Sequence, residues 1–401
     1  MGHGKKFTDN PTLSPEVADR GFKLGITIGA IGLIASLGGL AMGETQQFAF
    51  SWLTACVWGT TICLGSLFFV ILHHITGAGW STSFRRIAEN ITMGLPMMAV
   101  FLLPLLLFGM HSIYHWSHAD AVAADPILQG KAAYLNPGFF GGRAIAFFVI
   151  WIAISTFYRR LSVRQDESGD HALTLRMRWW APVSTLMFAL TISYAGFDWV
   201  MSLDPHWFST MFGVIIFAGS LVAAYATIGL LGLWLQKNGA LQNTLTEWNF
   251  HDVAKLMFGF TCFWAYTSFS QYMLIWYGNI PEETAWYDLR MNGGWGRIGI
   301  FLIVGHFIIP FWVLMSRHVK RHRAGFGVMA AWMLFVHFWD LYYMIMPTLH
   351  HHFHLHWLDF TCLAAVGGCL YAFVVKRAFA KDAIVAYRDP QLSASMNYDN
   401  F

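Results

Sequence analysis

The chain has 401 residues, 56% of them hydrophobic and only 12% charged, with a formal net charge of +3. So little charge over this length excludes a soluble globular protein and leaves a polytopic membrane protein, with lipid as its surroundings and no nucleic-acid partner expected. Polar stretches reach roughly thirty residues at most, too short for a separate soluble domain.

From the N-terminus, Met1–Val17 is polar and lacks the apolar core and small-residue cleavage site of a secretory signal peptide. Apolar runs of sufficient length then predict about ten transmembrane helices, near 24–42, 50–72, 91–109, 141–158, 180–200, 209–235, 253–277, 297–316, 326–347 and 358–376. Charge fixes their orientation. Lys5, Lys6, Arg20 and Lys23, the loops after even-numbered spans and the C-terminal tail together hold 21 of the 25 basic residues. The other side has only Lys131, Arg143, Arg290 and Arg297. Because Lys and Arg stay on the cytoplasmic side, both termini are expected there, in a multi-pass membrane protein. The opposite, outer side is rich in histidine: His111, His115, His118, His206, His350, His351, His352, His354 and His356.

Cys56, Cys63, Cys262, Cys362 and Cys369 all lie in apolar runs without a Cys-x-x-Cys. Covalent c-type haem and iron–sulfur ligation are therefore not expected in this chain, and the cysteines read as packing residues.

Two halves of the sequence resemble each other. Span 4 opens with Gly141-Gly-Arg143 and span 8 with Trp295-Gly-Arg297. Span 5 ends in Phe197-Asp198-Trp and span 9 carries Trp339-Asp340-Leu, each with a proline seven residues after the aspartate. Four spans separate the members of each pair, so the two units share one orientation. This predicts two pseudo-repeated four-helix bundles, spans 2–5 (50–208) and 6–9 (209–350), flanked by span 1 (1–49) and span 10 with the tail (351–401). The fold class expected is all-α integral membrane. Arg143 with Asp198, and Arg297 with Asp340, are the expected ion pairs; chance similarity is the competing explanation of the repeat.

His337 and Asp340 lie within one apolar run, three residues apart and so on one helix face. Ionisable groups at that depth cost a few kcal/mol or more unless partnered. His306, on the preceding span, falls at a similar depth. Three readings stay open: a proton relay His306–His337–Asp340, bis-histidine ligation of a b-type haem, and hydrogen-bonded core residues. Glu247, His251, Asp252 and Lys255 gather at the inner entrance of span 7, with Glu89 at span 3. They read either as a proton mouth or as acids favoured by helix N-termini. The His350–His356 cluster reads as a partner contact or, less readily, as a metal site.

The segment Phe269-Ser-Gln-Tyr-Met-Leu-Ile-Trp-Tyr-Gly-Asn-Ile-Pro-Glu-Glu-Thr-Ala-Trp-Tyr287 resembles the membrane subunits of the NrfD/polysulfide-reductase type. It is nearest to the F subunits of alternative complex III, and length, span number and doubled bundles extend that likeness along the chain. The resemblance implies a cofactor-free integral subunit of a bacterial quinol:cytochrome c (electron acceptor) oxidoreductase. Such a subunit supports assembly and is a candidate for proton translocation. It further implies partners that carry the redox chemistry: a related NrfD-like C subunit, an iron–sulfur protein, c-type cytochromes with their haems, and a terminal oxidase. A quinol-binding subunit in its own right and a purely structural brace are the alternatives. The residues expected to move protons are His306, His337, Asp340, Asp198, Glu247, Asp252 and Lys255, with Arg143 and Arg297 as charge partners.

Overall fold

A computed structural model describes residues 7–399; Lys5 and Lys6, counted in the N-terminal basic group, lie outside them. The structure is 81% helical with no strand among the described residues, as an all-α integral membrane protein requires. Lipid offers backbone groups no hydrogen-bond partners, so each crossing must satisfy its own. Ten long helices succeed one another: α1 (Pro15–Ala41), α2 (Thr45–Thr76), α3 (Thr82–Ile113, with a π-helical turn at Leu105–Gly109), α4 (Pro137–Ser168) and α5 (His171–Trp199). Then follow α6 (Phe212–Lys237), α7 (Glu247–Gly278), α8 (Trp295–Met315, π-helical at Ile303–Ile308), α9 (Arg323–Ile345) and α10 (Trp357–Val374).

Among the described residues, nine of these helices are long and apolar enough to cross a membrane. The exception is α7. At 32 residues it has the length, but tryptophan, tyrosine, threonine and serine dilute its hydropathy. It nevertheless packs beside α6 and against the Ile303–Met315 part of α8. Several helices outrun the expected spans. α4 and α5 are separated only by Gly169, whose φ of +69° closes one helix, and Asp170, whose carboxylate caps the next by accepting from Ala172 N–H. The basic residues of that "loop" therefore sit on helical extensions.

Packing follows two closed rings of neighbours, α2–α3–α4–α5 and α6–α7–α8–α9, joined through α2 against α6, α5 against α6, and α2 against α9. The joining helices α2 and α6 are the most buried, which is why their apolar residues show no one-sided pattern. Where they cross, a Cβ on Gly65 would lie 2.1 Å from the Ser220 carbonyl oxygen, so only glycine permits the approach. α1 lies outermost and packs on α10 through Gly25, Gly29 and Gly32, which meet Gly368, Cys369 and Ala365 backbone to backbone. Small residues at this spacing substitute close van der Waals contact for a hydrophobic driving force that lipid does not supply.

The N-terminal and C-terminal segments of the described residues meet on one face. Ile384 N–H donates to Pro11 O at 2.7 Å, and Asp9 accepts from Asn243 and Thr244 in the α6–α7 connection. There Arg85 and Arg86, counted above only as loop charges, are fully buried. They pair with Glu89, Asp166 and Asp389 at 2.6–3.0 Å, while Arg159 joins Asp382. This network clamps the C-terminal tail to the first bundle. The five cysteines are free, and Cys56 and Cys63 spend their thiols on carbonyls of α3.

Candidate functional site

α8 and α9 bring His306, His337 and Asp340 together in the core of the second bundle. One potential ligand atom from each lies within 4.8 Å of the others, and the three residues are 0%, 1% and 3% exposed. His337 and Asp340 share a face of α9 because they are three residues apart. His306 reaches them from the π-helical turn of α8. Pro310 lies four residues on and has no N–H for the His306 carbonyl, so regular α-helical bonding fails there.

The surroundings orient each group. Trp264 on α7 stacks on the His306 ring at 3.8 Å between centroids and donates its indole N–H to Asp340 Oδ2 at 3.0 Å. Thr61 on α2 donates its hydroxyl to Trp58 O at 2.9 Å. Its oxygen therefore accepts the Nε2–H of His337, also at 2.9 Å. In the neutral ring this makes Nδ1 of His337 the nitrogen with the lone pair, and it has no partner; both ring nitrogens of His306 are unpartnered as well. Gly219 on α6 faces the group: a Cβ there would stand 3.3 Å from His337 Nδ1 and 3.5 Å from Asp340 Oδ2. Buried donor or acceptor nitrogens without partners cost about 1–3 kcal/mol each; others occur in this chain, at His74 and His251 among them, but here three belong to one cluster of ionisable groups.

The corresponding position of the first bundle is built differently. Arg143 Nε and Nη2 donate to Asp198 at 2.7 and 3.1 Å, and Tyr134 O–H donates to the same carboxylate at 2.9 Å. The guanidinium also lies 3.7 Å from the Tyr134 ring centroid. The carboxylate is saturated. The matching pair expected in the second half does not form, because Arg297 starts α8 on an exposed face and Asp340 turns to Trp264. The buried arginine of that half is Arg290, from the short helix Pro281–Met291. It stacks on Trp286 at 3.5 Å and donates to the carbonyls of Trp286, Tyr343 and Met344 at the end of α9.

Of the residues at the α7 entrance, Asp252 pairs with Lys255 at 2.9 Å. Both line a cleft of about 410 Å3 on the face that holds the termini, with His73, Trp80, Leu256 and Tyr225 among its walls. Glu247 is exposed in the first turn of α7, where the helix dipole accounts for it, and Glu89 belongs to the buried arginine network. Tyr225, whose buried hydroxyl has no partner, is six residues beyond Gly219 on α6. At 1.5 Å per residue the two are about 9 Å apart along the α6 axis, Tyr225 lining the cleft and Gly219 facing the triad. Thr61 also borders a small, apolar-walled cavity of about 20 Å3 between the bundles, with space for about one water.

On the opposite face, Asp359 accepts from Gln47, Ser51 and Tyr342 at 2.6–2.9 Å, and His350 donates to Gln47 Oε1 at 2.6 Å. Sequence reading passed over Asp359 and Gln47, since one sits at a helix start and the other in a mostly apolar helix. Trp264 and Gly219 carried no signal either; only the fold turns them toward the triad. The chain matches no family model and no curated protein.

Proposed function

We propose that this chain is a cofactor-free integral subunit of a quinol-oxidising respiratory complex, and that its second bundle passes protons through His306, His337 and Asp340. The subunit assignment rests on the resemblance of the 269–287 segment. The proton role rests on one observation: three costly ionisable side chains converge in the bundle core with three ring nitrogens free to take or give a proton. Groups held this way inside a membrane domain belong to ion or proton pathways as a rule.

The cleft beside Asp252 and Lys255 supplies the entrance, and Tyr225 stands between it and the triad. A short water chain alongside α6, over the axial step of about 9 Å from Tyr225 to Gly219, completes the path. Thr61 fixes the His337 tautomer so that Nδ1 is the proton-accepting atom. In the first bundle Asp198, saturated by Arg143 and Tyr134, has no such freedom and acts as a brace. The 20 Å3 cavity next to Thr61 is far below the roughly 300–1,000 Å3 of a ligand pocket. That favours proton transfer over quinol binding at this level of the bundle.

The test has two parts. Purification in mild detergent, with an optical spectrum and identification of co-purifying chains, should recover c-type haem on partner subunits; a chain isolated alone would remove the subunit assignment. In vesicles containing the complex, Asp340→Asn should lower the protons moved per electron while quinol oxidation continues. An unchanged ratio would remove the relay.

A further inference from the structure

We infer that His306, His337 and Asp340 form a binding site for one divalent transition-metal ion of the zinc type, which competes for the positions that protons occupy. The competition rests on the proton role proposed above; the metal site stands on its own geometry.

Two imidazoles and a carboxylate, with a further position open, are a donor set that suits zinc and disfavours magnesium or calcium, which prefer oxygen ligands throughout. Three features point to an ion rather than to generic polarity. His337 has the arrangement of a ligating histidine: its Nε2–H is held by Thr61 at 2.9 Å while Nδ1 is bare. Outer partners of this kind set the tautomer and aim the lone pair. His306 is wholly buried with neither nitrogen partnered, although its ring is fixed by the stack on Trp264. Finally, Gly219 leaves room in front of His337 Nδ1, where a Cβ would stand a tight 3.3 Å away and in contact with Asp340 Oδ2 at 3.5 Å.

Ligands about 2.0–2.1 Å from zinc stand roughly 3.3 Å from one another, whereas here they are spread over as much as 4.8 Å. Binding therefore draws the groups inward. The π-helical turn that carries His306 is the element able to shift, since its backbone bonding is already irregular. Asp340 contributes the negative charge, and Trp264 keeps its other interaction on Oδ2.

The experiment is a Zn2+ titration of the purified, chelator-treated full-length protein in detergent, followed by calorimetry and by metal content after gel filtration. One Zn2+ per chain is expected, with Mg2+ unable to displace it. His306→Ala should weaken binding by at least about 10-fold. Thr61→Val, which leaves all three ligands in place, should weaken it by about 10-fold through loss of the His337 orientation; this variant serves if His306→Ala does not fold. The triple replacement His350→Gln, His354→Gln and His356→Gln should leave the stoichiometry unchanged. Absence of stoichiometric Zn2+ on the wild-type protein overturns the site, as does an affinity in His306→Ala and Thr61→Val that is unchanged from the wild type. Loss in the outer-face triple variant assigns the ion there and overturns it too. A failed titration alongside a lowered proton ratio in Asp340→Asn would sink the metal site alone. Bound Zn2+ with an undiminished proton ratio would sink the relay alone.

Discussion

Replacing Arg143 by leucine should destabilise the first bundle by about 3–5 kcal/mol, the cost of stranding a buried charge. The number follows from what Asp198 would lose. Its carboxylate is 1% exposed and accepts from Arg143 Nε at 2.7 Å, Arg143 Nη2 at 3.1 Å and Tyr134 O–H at 2.9 Å. All three are charge-assisted because the acceptor is ionised, and the two that Arg143 supplies are worth about 1.5–3 kcal/mol each. What remains is a buried carboxylate with a single neutral donor. The loss of the guanidinium's contact with the Tyr134 ring at 3.7 Å and its bond to Tyr134 O at 2.8 Å adds to the effect. If the stranded charge is the cause, Asp198→Asn in the Arg143→Leu background should recover a coupling of about 1–3 kcal/mol. The assay is equilibrium unfolding in mixed micelles with denaturing detergent, run as a double-mutant cycle. A loss below about 1 kcal/mol, the value of an exposed pair, or no recovery in the double variant, would refute the reasoning.

Two further outcomes follow from the packing and the outer face. Gly32→Leu should separate α1 from α10, because a Cβ at this position would lie 2.4 Å from Ala365 N and 2.7 Å from Thr361 O. The overpacking penalty is about 1–3 kcal/mol, and a cysteine crosslink between the two helices, formed in the wild type, should be lost. For the 349–356 loop, burial first and the neighbouring His354 next hold His350 below its ordinary value of 6.5. A histidine whose docked value is depressed binds protons more readily when undocked. Docking is therefore complete above pH 6.5 and erodes as pH falls from 6.5 through the lower docked value. Hydrogen-exchange protection across this loop, taken relative to the intrinsic exchange rate at each pH, should fall as pH drops below about 6.5, and His350→Gln should abolish that pH dependence.

Apolar runs and the asymmetry of Lys and Arg determined much by themselves: helices that cross a membrane, in alternating direction, with both termini on the same face. They suffice because lipid admits few backbone solutions and the runs are long. His337 and Asp340 were legible as a pair for a related reason, since residues three apart must share a helix face and their burial is costly. The Arg143–Asp198 contact was legible from the repeat, but its counterpart was not. Tertiary packing decided that Arg297 faces outward, that Arg290 is buried instead, and that Asp340 turns to the indole of Trp264. Packing alone also buried Arg85 and Arg86 beneath the C-terminal tail and set Gly219 against the triad. Periodicity reports which face of a helix is apolar, but which neighbour meets that face depends on side chains hundreds of residues away. The freedom of three ring nitrogens, on which the functional reading rests, belongs wholly to that second level.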